Sequence, residues 1–408
     1  MKGIRRIANA KRRSVFLLIV GSLLVILAFY FLPAISEPIA ASAFTAEEET
    51  AIEELREEVR KLLEALDTEE LEAYLETLPQ YEAGSIKEAL ESIVTGDFSL
   101  DYASLWQSVL ALVWEEGKVI LPAFAVIIAV ALLSGILNSI RGSFLRGSMA
   151  EIIHFAAYLC VGAALLSVLI SVLQAGFSAI ESMQRQMEII YPILLTLMAA
   201  SGGAVSAGIY RPAVAFMSSA VCEMFSAVVL PTSVAVIVLT FIGCLSDEVK
   251  TTKLGDFFKS LNKWLIGLTL GLLGIFLTVQ GISAAQYDGL SLRAAKYLVS
   301  GSVPIVGGFL SGGLDLVLAG SALIKNAVGS FAVFLLFGVI LRPVLLFAAF
   351  QIFLRLSAAA AEPVGGKISA FLSRLASDCG FFIAGLCCIA FLYFLTLVLL
   401  VCSTGVIF

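Results

Sequence analysis

The sequence predicts an all-α polytopic membrane protein with a parallel internal duplication of about 112–114 residues, Gly-broken re-entrant hairpins and a small helical extracytoplasmic domain. Three observations carry this reading. The chain is 60% hydrophobic and 14% charged, with a mean hydropathy of +0.99. Soluble domains run near ~45–50% apolar and ~25% charged. Eight apolar segments then recur between residues 119 and 402, each about as long as the ~20 residues a membrane span requires or longer. Two of those segments are rich in Gly and Ser and resemble each other.

The N-terminus, residues 1–43, reads as a signal peptide. Six Lys/Arg in the first 13 residues precede an apolar core at 15–32 and the triplet Ala41-Ser42-Ala43. Cleavage after Ala43 and retention as an anchor both leave the following residues outside the cytoplasm. Residues 44–105 hold 18 Asp/Glu against four Lys/Arg and contain no cysteine. Ile52, Leu55, Val59, Leu62, Leu63 and Leu66 recur at three- and four-residue spacing, so this stretch begins with an amphipathic helix. Leu71, Tyr74, Leu75 and Leu78 form a second stripe that Pro79 ends, and Ser85 with Glu88 reads as a capping box for a third helix. The acidity of this domain favours a basic partner or a solvated face; a nucleic-acid partner would need a basic stripe, which is absent.

Residues 106–151 supply the first span, 119–139, and a loop with Arg141 and Arg146. Repeat 1 covers 152–263 and repeat 2 covers 264–380, followed by a terminal span within 381–408. The apolar segments inside them are 152–173, 191–209, 212–245, 264–283, 303–323, 327–353 and 381–402. The repeat rests on residue matches. YPILLTLMAASGGAVSAGIYRP and VPIVGGFLSGGLDLVLAGSALIKN share Pro-Ile, Ser-Gly-Gly and a terminal cation, Arg211 and Lys325, 114 apart. KLGDFFKSLNKW and KISAFLSRLASD place Leu254, Phe257, Phe258, Leu261 and Ile368, Phe371, Leu372, Leu375 on matching faces at the same offset, and Pro231 matches Pro343 at 112. These two amphipathic stretches are expected to lie flat at the cytoplasmic interface.

Loop charges set the orientation. Nine basic residues fall in the loops around 141–146, 246–263 and 355–380, against three (Arg185, Arg293, Lys296) in the alternate loops 174–190 and 284–302. The richer set belongs inside. That holds if each Ser-Gly-Gly segment enters and leaves by one face or contributes an even number of crossings; re-entrant hairpins broken at Gly202-Gly203 and Gly312-Gly313 are the expected form. Broken backbone in a bilayer must be buried in protein or line water. The hairpins, together with Glu223, Asp315, Arg342, Arg211 and Lys325, are therefore the candidate pathway residues. Glu223 with Arg342 is the candidate structural pair, and Gly267 with Gly271 a helix-packing GxxxG. The uncharged run at 381–402 reads as a lipid-facing span.

Catalytic chemistry is not expected. The one histidine, His154, borders an apolar segment and reads as a packed or interfacial residue. The seven cysteines show no zinc spacing, and no phosphate loop, nucleophile elbow or paired carboxylates appear. No cofactor-binding or metal residues are assigned.

The signal segment, the acidic helical domain, the 191–212 stretch YPILLTLMAASGGAVSAGIYRP and the paired amphipathic loops resemble the stage III sporulation protein AE family of endospore-forming bacteria. The resemblance covers nearly the whole chain. It implies a multi-pass protein of the mother-cell membrane around the forespore, within a multi-protein channel joining the two cells and sustaining late forespore gene expression. The implied partners are other membrane proteins of the same operon, a secretion-type ATPase on the cytoplasmic side and ring-forming intermembrane proteins. The expected role is the permease-like membrane component of that channel. Alternatives are a free-standing secondary transporter of a small solute and an assembly scaffold without a conduit.

Overall fold

A computed structural model describes residues 46–77, 86–95, parts of 107–133, 147–245, 251–275 except 273, 307–363 and 366–402. The signal segment, the Ser85 cap, Arg141 and Arg146, the loop 284–302 and the side chain of His154 lie outside the described residues.

The described residues are helical throughout. In chain order they form α1 (Ala46–Ala65), α2 (Glu69–Glu76), α3 (Ile86–Thr95), α4 (Ile120–Val130), α5 (Gly147–Ala200), α6 (Ala204–Ala215), α7 (Leu230–Leu245), α8 (252–272), α9 (Gly307–Ala361) and α10 (Gly366–Cys402). Between α6 and α7 the rod continues through π-helical turns at Phe216–Val221 and Phe225–Val229. Among the described residues, four stretches are long and apolar enough to cross a membrane: Phe155–Ala200, Ala204–Cys244, Leu316–Ala361 and Ile368–Cys402.

These four stretches pack as a bundle whose levels are fixed by side-chain pairs. Nearest the ends rich in Lys and Arg, the Phe371 ring meets Tyr158 at 4.8 Å and Phe241 at 5.0 Å. Above it Phe382 stacks on Phe347 at 4.7 Å and meets Phe177 at 5.8 Å. Higher still, Cys222 contacts Met187, Gln186 Nε2 donates to the Leu335 carbonyl, and Tyr191 meets Tyr393 at 5.6 Å. Residue numbers rise together on α5 and α10 and fall on the α6–α7 rod and α9. Thus α5 and α10 run one way, and the rod and α9 the other. Helix α8 doubles back along α7, with Thr251 Oγ1 donating to the Leu239 carbonyl and Asn262 reaching Ser233.

Three features differ from the sequence expectation. First, 152–173 and 191–209 are not separate segments joined by a loop, because α5 runs unbroken through 174–190. Its polar residues Glu181, Gln184, Arg185 and Glu188 fall at helical spacing on the outer face, while Ile180, Met183 and Met187 are buried. They lower the local hydropathy without interrupting the helix. Phe155–Ala200 spans about 70 Å at ~1.5 Å per residue, more than twice the ~30 Å hydrocarbon core. Its end does not fold back beside 152–173, as a re-entrant arm would. Second, Gly312 and Gly313 do not break the chain; they lie in the first turns of α9. A helical Gly costs only ~1 kcal/mol relative to Ala, which the remaining length of α9 absorbs. Third, α10 is the bundle's central helix, with Phe382, Leu386, Tyr393, Leu397 and Leu400 buried, and is not lipid-facing. Ile368, Phe371, Leu372 and Leu375 are its buried first turns and form no separate interfacial helix.

The acidic helices pack on the other half of the bundle. Val59 and Leu62 of α1 lie against Gly320 of α9, and the Tyr74 hydroxyl of α2 donates to the Ser182 carbonyl of α5. Burial pushes the Tyr74 phenol pKa up. Leu71, Tyr74 and Leu75 are buried, whereas Glu53, Glu54, Glu57, Glu64, Glu69, Glu70, Glu72 and Glu76 are exposed.

Candidate functional site

The first Ser-Gly-Gly is a tight helical turn at the tip of the α5–α6 hairpin. Gly202 takes φ 92, a left-handed conformation that costs residues with a Cβ about 1–2 kcal/mol. The Gly203 N–H donates to the Met198 carbonyl at 2.9 Å and the Gly202 N–H to Ala199 at 3.2 Å, the paired closure of a Schellman motif. Ser201 Oγ adds a third bond, to the Met198 carbonyl at 3.0 Å. Gly203 has φ −91, so the backbone requirement rests on Gly202. Gly202→Ala is expected to lower the unfolding free energy by about 1 kcal/mol, and Gly203→Ala by less. Thermal unfolding of both variants in detergent checks the order.

The remaining candidates do not converge on one cavity. Arg211 and Glu223 are exposed on the α6–α7 rod, Glu223 in the three-residue interval between the π-helical turns. Arg342 is exposed on α9 between the levels of Phe347 and Leu335. Lys325 is buried on α9, near its acidic-helix end. The backbone of Asp315 is helical and its side chain lies outside the described residues. Glu223, adjacent to the Cys222–Met187 contact, is level with Glu188, and Arg342 is close to the level of Glu181. With Arg185 they form a charged belt at the height where Tyr74 docks. Among the described residues, a Cβ on Gly208, Gly267 or Gly271 would meet nothing within 4 Å. Gly267 and Gly271 therefore face open space within one copy.

Two polar clusters were not singled out from the sequence. Asp378 of α10, its side chain 3% exposed, is 2.5 Å from Lys259 Nζ of α8 and accepts from Thr240 Oγ1 of α7 at 2.5 Å. The carboxylate thus ties three helices together. It precedes the apolar run at 381 by three residues and reads as a loop acid; the only signal was its position three residues after Leu375, on the same apolar helical face. The second cluster sits at Pro231, whose ring removes a backbone donor and crowds the carbonyl one turn back. Ser233 Oγ donates to the Val229 carbonyl at 2.7 Å, and the Thr232 hydroxyl sits 2.6 Å from both the Val228 carbonyl and Asn262 Oδ1. Asn262 Nδ2 donates to Ser233 Oγ at 2.9 Å. These side chains serve the carbonyls that the π-helical turn and the proline disturb.

Among the described residues, no group of three or more His, Cys, Asp or Glu is placed to hold a metal ion. The bundle interior is filled by large side chains, with Tyr191, Tyr393, Phe225, Phe347, Phe350, Phe371 and Phe382 all fully buried. Among the described residues, the geometry offers charged exterior surfaces and polar helix ties.

A family model described as stage III sporulation protein AE matches residues 84–404. A curated relative, "Stage III sporulation protein AE" of Bacillus subtilis (strain 168), is 24% identical over 332 residues, covering 79% of this chain and 80% of the relative. No solved structure matches the chain.

Proposed function

Because the chain belongs to the stage III sporulation protein AE family, we propose that this multi-pass sporulation membrane protein is the bilayer-embedded component of the mother-cell-to-forespore channel complex. The observation that carries the reading is a division of the bundle surface. Large exposed apolar side chains gather toward its basic end: Phe155, Leu159, Leu166 and Ile170 on α5, Val238 and Ile242 on α7, Ile352 and Leu356 on α9. Phe155 to Ile170 covers about 23 Å at ~1.5 Å per residue, a fit to the ~30 Å hydrocarbon core. Above this band lies the charged belt. Beyond it, α6 exposes mainly small or charged residues, Ala204, Gly208, Arg211 and Ala215, with Val205 and the following Phe216 as the exposed large apolar side chains.

In this reading the basic end is cytoplasmic, and the α5–α6 tip with the acidic helices stands in the intermembrane space as a rigid tower. At ~1.5 Å per residue along α5, a ~30 Å core beginning at Phe155 ends about 9 Å short of the Arg342 level and about 20 Å short of the Glu223 level, so neither charge bears the desolvation cost of a mid-membrane position. The duplication has support in direction: the α6–α7 rod followed by α8 and α9 followed by α10 are helical hairpins of the same sense. The aromatic filling of the bundle interior among the described residues supports a path between subunits over one through a single copy. Any conduit runs between subunits of an assembly, with the α6 face and its Arg211 at the contact. The scaffold reading shares the filled interior and differs only in lacking that conduit. The remaining proposed partners are the other operon membrane proteins, the secretion-type ATPase at the basic end and the ring-forming proteins around the tower.

The test is Gly208→Trp in a sporulating cell. Since a Cβ there meets nothing within 4 Å among the described residues, the isolated chain accommodates the ring. Normal membrane levels with severely reduced late forespore gene expression are expected. Normal expression would remove the α6 face from the assembly.

A further inference from the structure

The elbow where α9 hands over to α10 holds a groove of about 480 Å³, lined by Arg355, Ala358, Ala359, Glu362, Ser369, Ala370 and Ser373. That volume lies in the ~300–1,000 Å³ range of small-ligand clefts. The floor is built from alanines, whose short side chains leave the space open between two helices. Arg355 lies on the last turns of α9 and Glu362, seven residues on, in the turn that follows it, so a cation and an anion border the groove at successive heights. Ser369 and Ser373, one turn apart on α10, supply hydroxyls opposite; Ser369 Oγ donates to the Ala358 carbonyl at 2.8 Å, which leaves its oxygen free to accept. Gly366 opens α10, so the positive end of a 37-residue helix points into the same elbow. Ile352 and Leu356, both exposed, flank Arg355 on the side of the apolar band.

We propose that this elbow binds the headgroup of a phospholipid carrying both a phosphate and a primary amine, as in phosphatidylethanolamine. The phosphate meets Arg355 and the opening turn of α10, the ammonium meets Glu362, and the acyl chains lie along Ile352 and Leu356. Charge complementarity selects this occupant. A purely anionic headgroup would set its charge beside Arg355 but also near Glu362, whereas the zwitterion places opposite charge beside each of the two lining groups. The placement at the bilayer boundary rests on the band reading above, but the preference between headgroups does not follow from that reading.

The experiment is native mass spectrometry of the full chain, released from micelles loaded with equimolar phosphatidylethanolamine and phosphatidylglycerol. Retention of the amine lipid on the order of tenfold above the glycerol lipid is expected, the scale of one charge-assisted hydrogen bond. Glu362→Gln should bring the ratio to about one, Arg355→Gln should lower retention of both lipids, and Ala370→Leu, at an exposed position, should fill the groove and abolish retention. Equal or reversed retention by the wild type overturns the proposal. So does a preference unchanged by Glu362→Gln, or retention surviving Ala370→Leu. A bilayer band confirmed by depth measurements beside a failed lipid preference would sink this site alone.

Discussion

Asp378→Ala is expected to destabilise the bundle by about 3 kcal/mol, because it leaves the Lys259 ammonium facing a largely buried site without its counter-charge. Removing one member of a buried pair costs ~3–5 kcal/mol; the lower figure applies since the Lys259 side chain is 25% exposed. Lys259→Met should cost somewhat less, as Thr240 still donates to the carboxylate. The double variant Asp378→Ala, Lys259→Met should cost less than the sum of the two single losses, since it leaves no unpaired buried charge. Thermal unfolding of the four proteins in detergent gives the coupling energy. Additive losses would show that the carboxylate and ammonium do not act as a pair.

Gly176→Val is the second large effect expected. A Cβ at position 176 would collide with the Phe382 ring and come within 3.0 Å of Phe347. Those rings stack on each other at 4.7 Å, and both are fully buried, so neither can swing away cheaply. Overpacking of this kind costs ~1–3 kcal/mol, and here it forces α5 away from both α9 and α10. Gly176→Ala should show the smaller loss and Gly176→Val the larger, read as unfolding temperature and as protease resistance of the α5–α10 contact. An unchanged Gly176→Val protein would mean that α5 does not sit against the Phe347–Phe382 stack.

The sequence pattern made some levels of this fold legible and hid others, for definable reasons. The stripe from Ile52 to Leu66 is helical because its three- and four-residue spacing has one solution, and α1 buries Val59 and Leu63 from it. The Gly202 turn was legible as a break, since Ser-Gly-Gly between apolar runs signals one. The same triplet at 311–313 starts a helix, because Gly permits a turn without imposing it. Hydropathy located the apolar helices but not their surroundings. An uncharged run suits both lipid and protein interior, so α10 read as lipid-facing although it is the core. Conversely, the charges at 181–188 looked like a loop when they are one face of a continuous helix. Asp378 escaped notice because a partner 119 positions earlier in the chain, Lys259, gives no local signal. Glu223 and Arg342 were legible as unusual charges, but only the packing levels place them beside Glu188 and Glu181 on one belt.

The central claim is that the bilayer occupies the basic half of the bundle and the α5–α6 tip stands clear of it. Depth-dependent quenching tests it most directly: single fluorophores at positions 166, 238 and 352, and at 196, 208 and 219, in vesicles whose acyl chains carry bromine. Strong quenching is predicted at Leu166, Val238 and Ile352, all exposed within the apolar band, and little at Thr196, Gly208 and Ser219. Quenching at Gly208 and Ser219 as strong as at Leu166 would contradict the account and return the hairpin tip to the membrane.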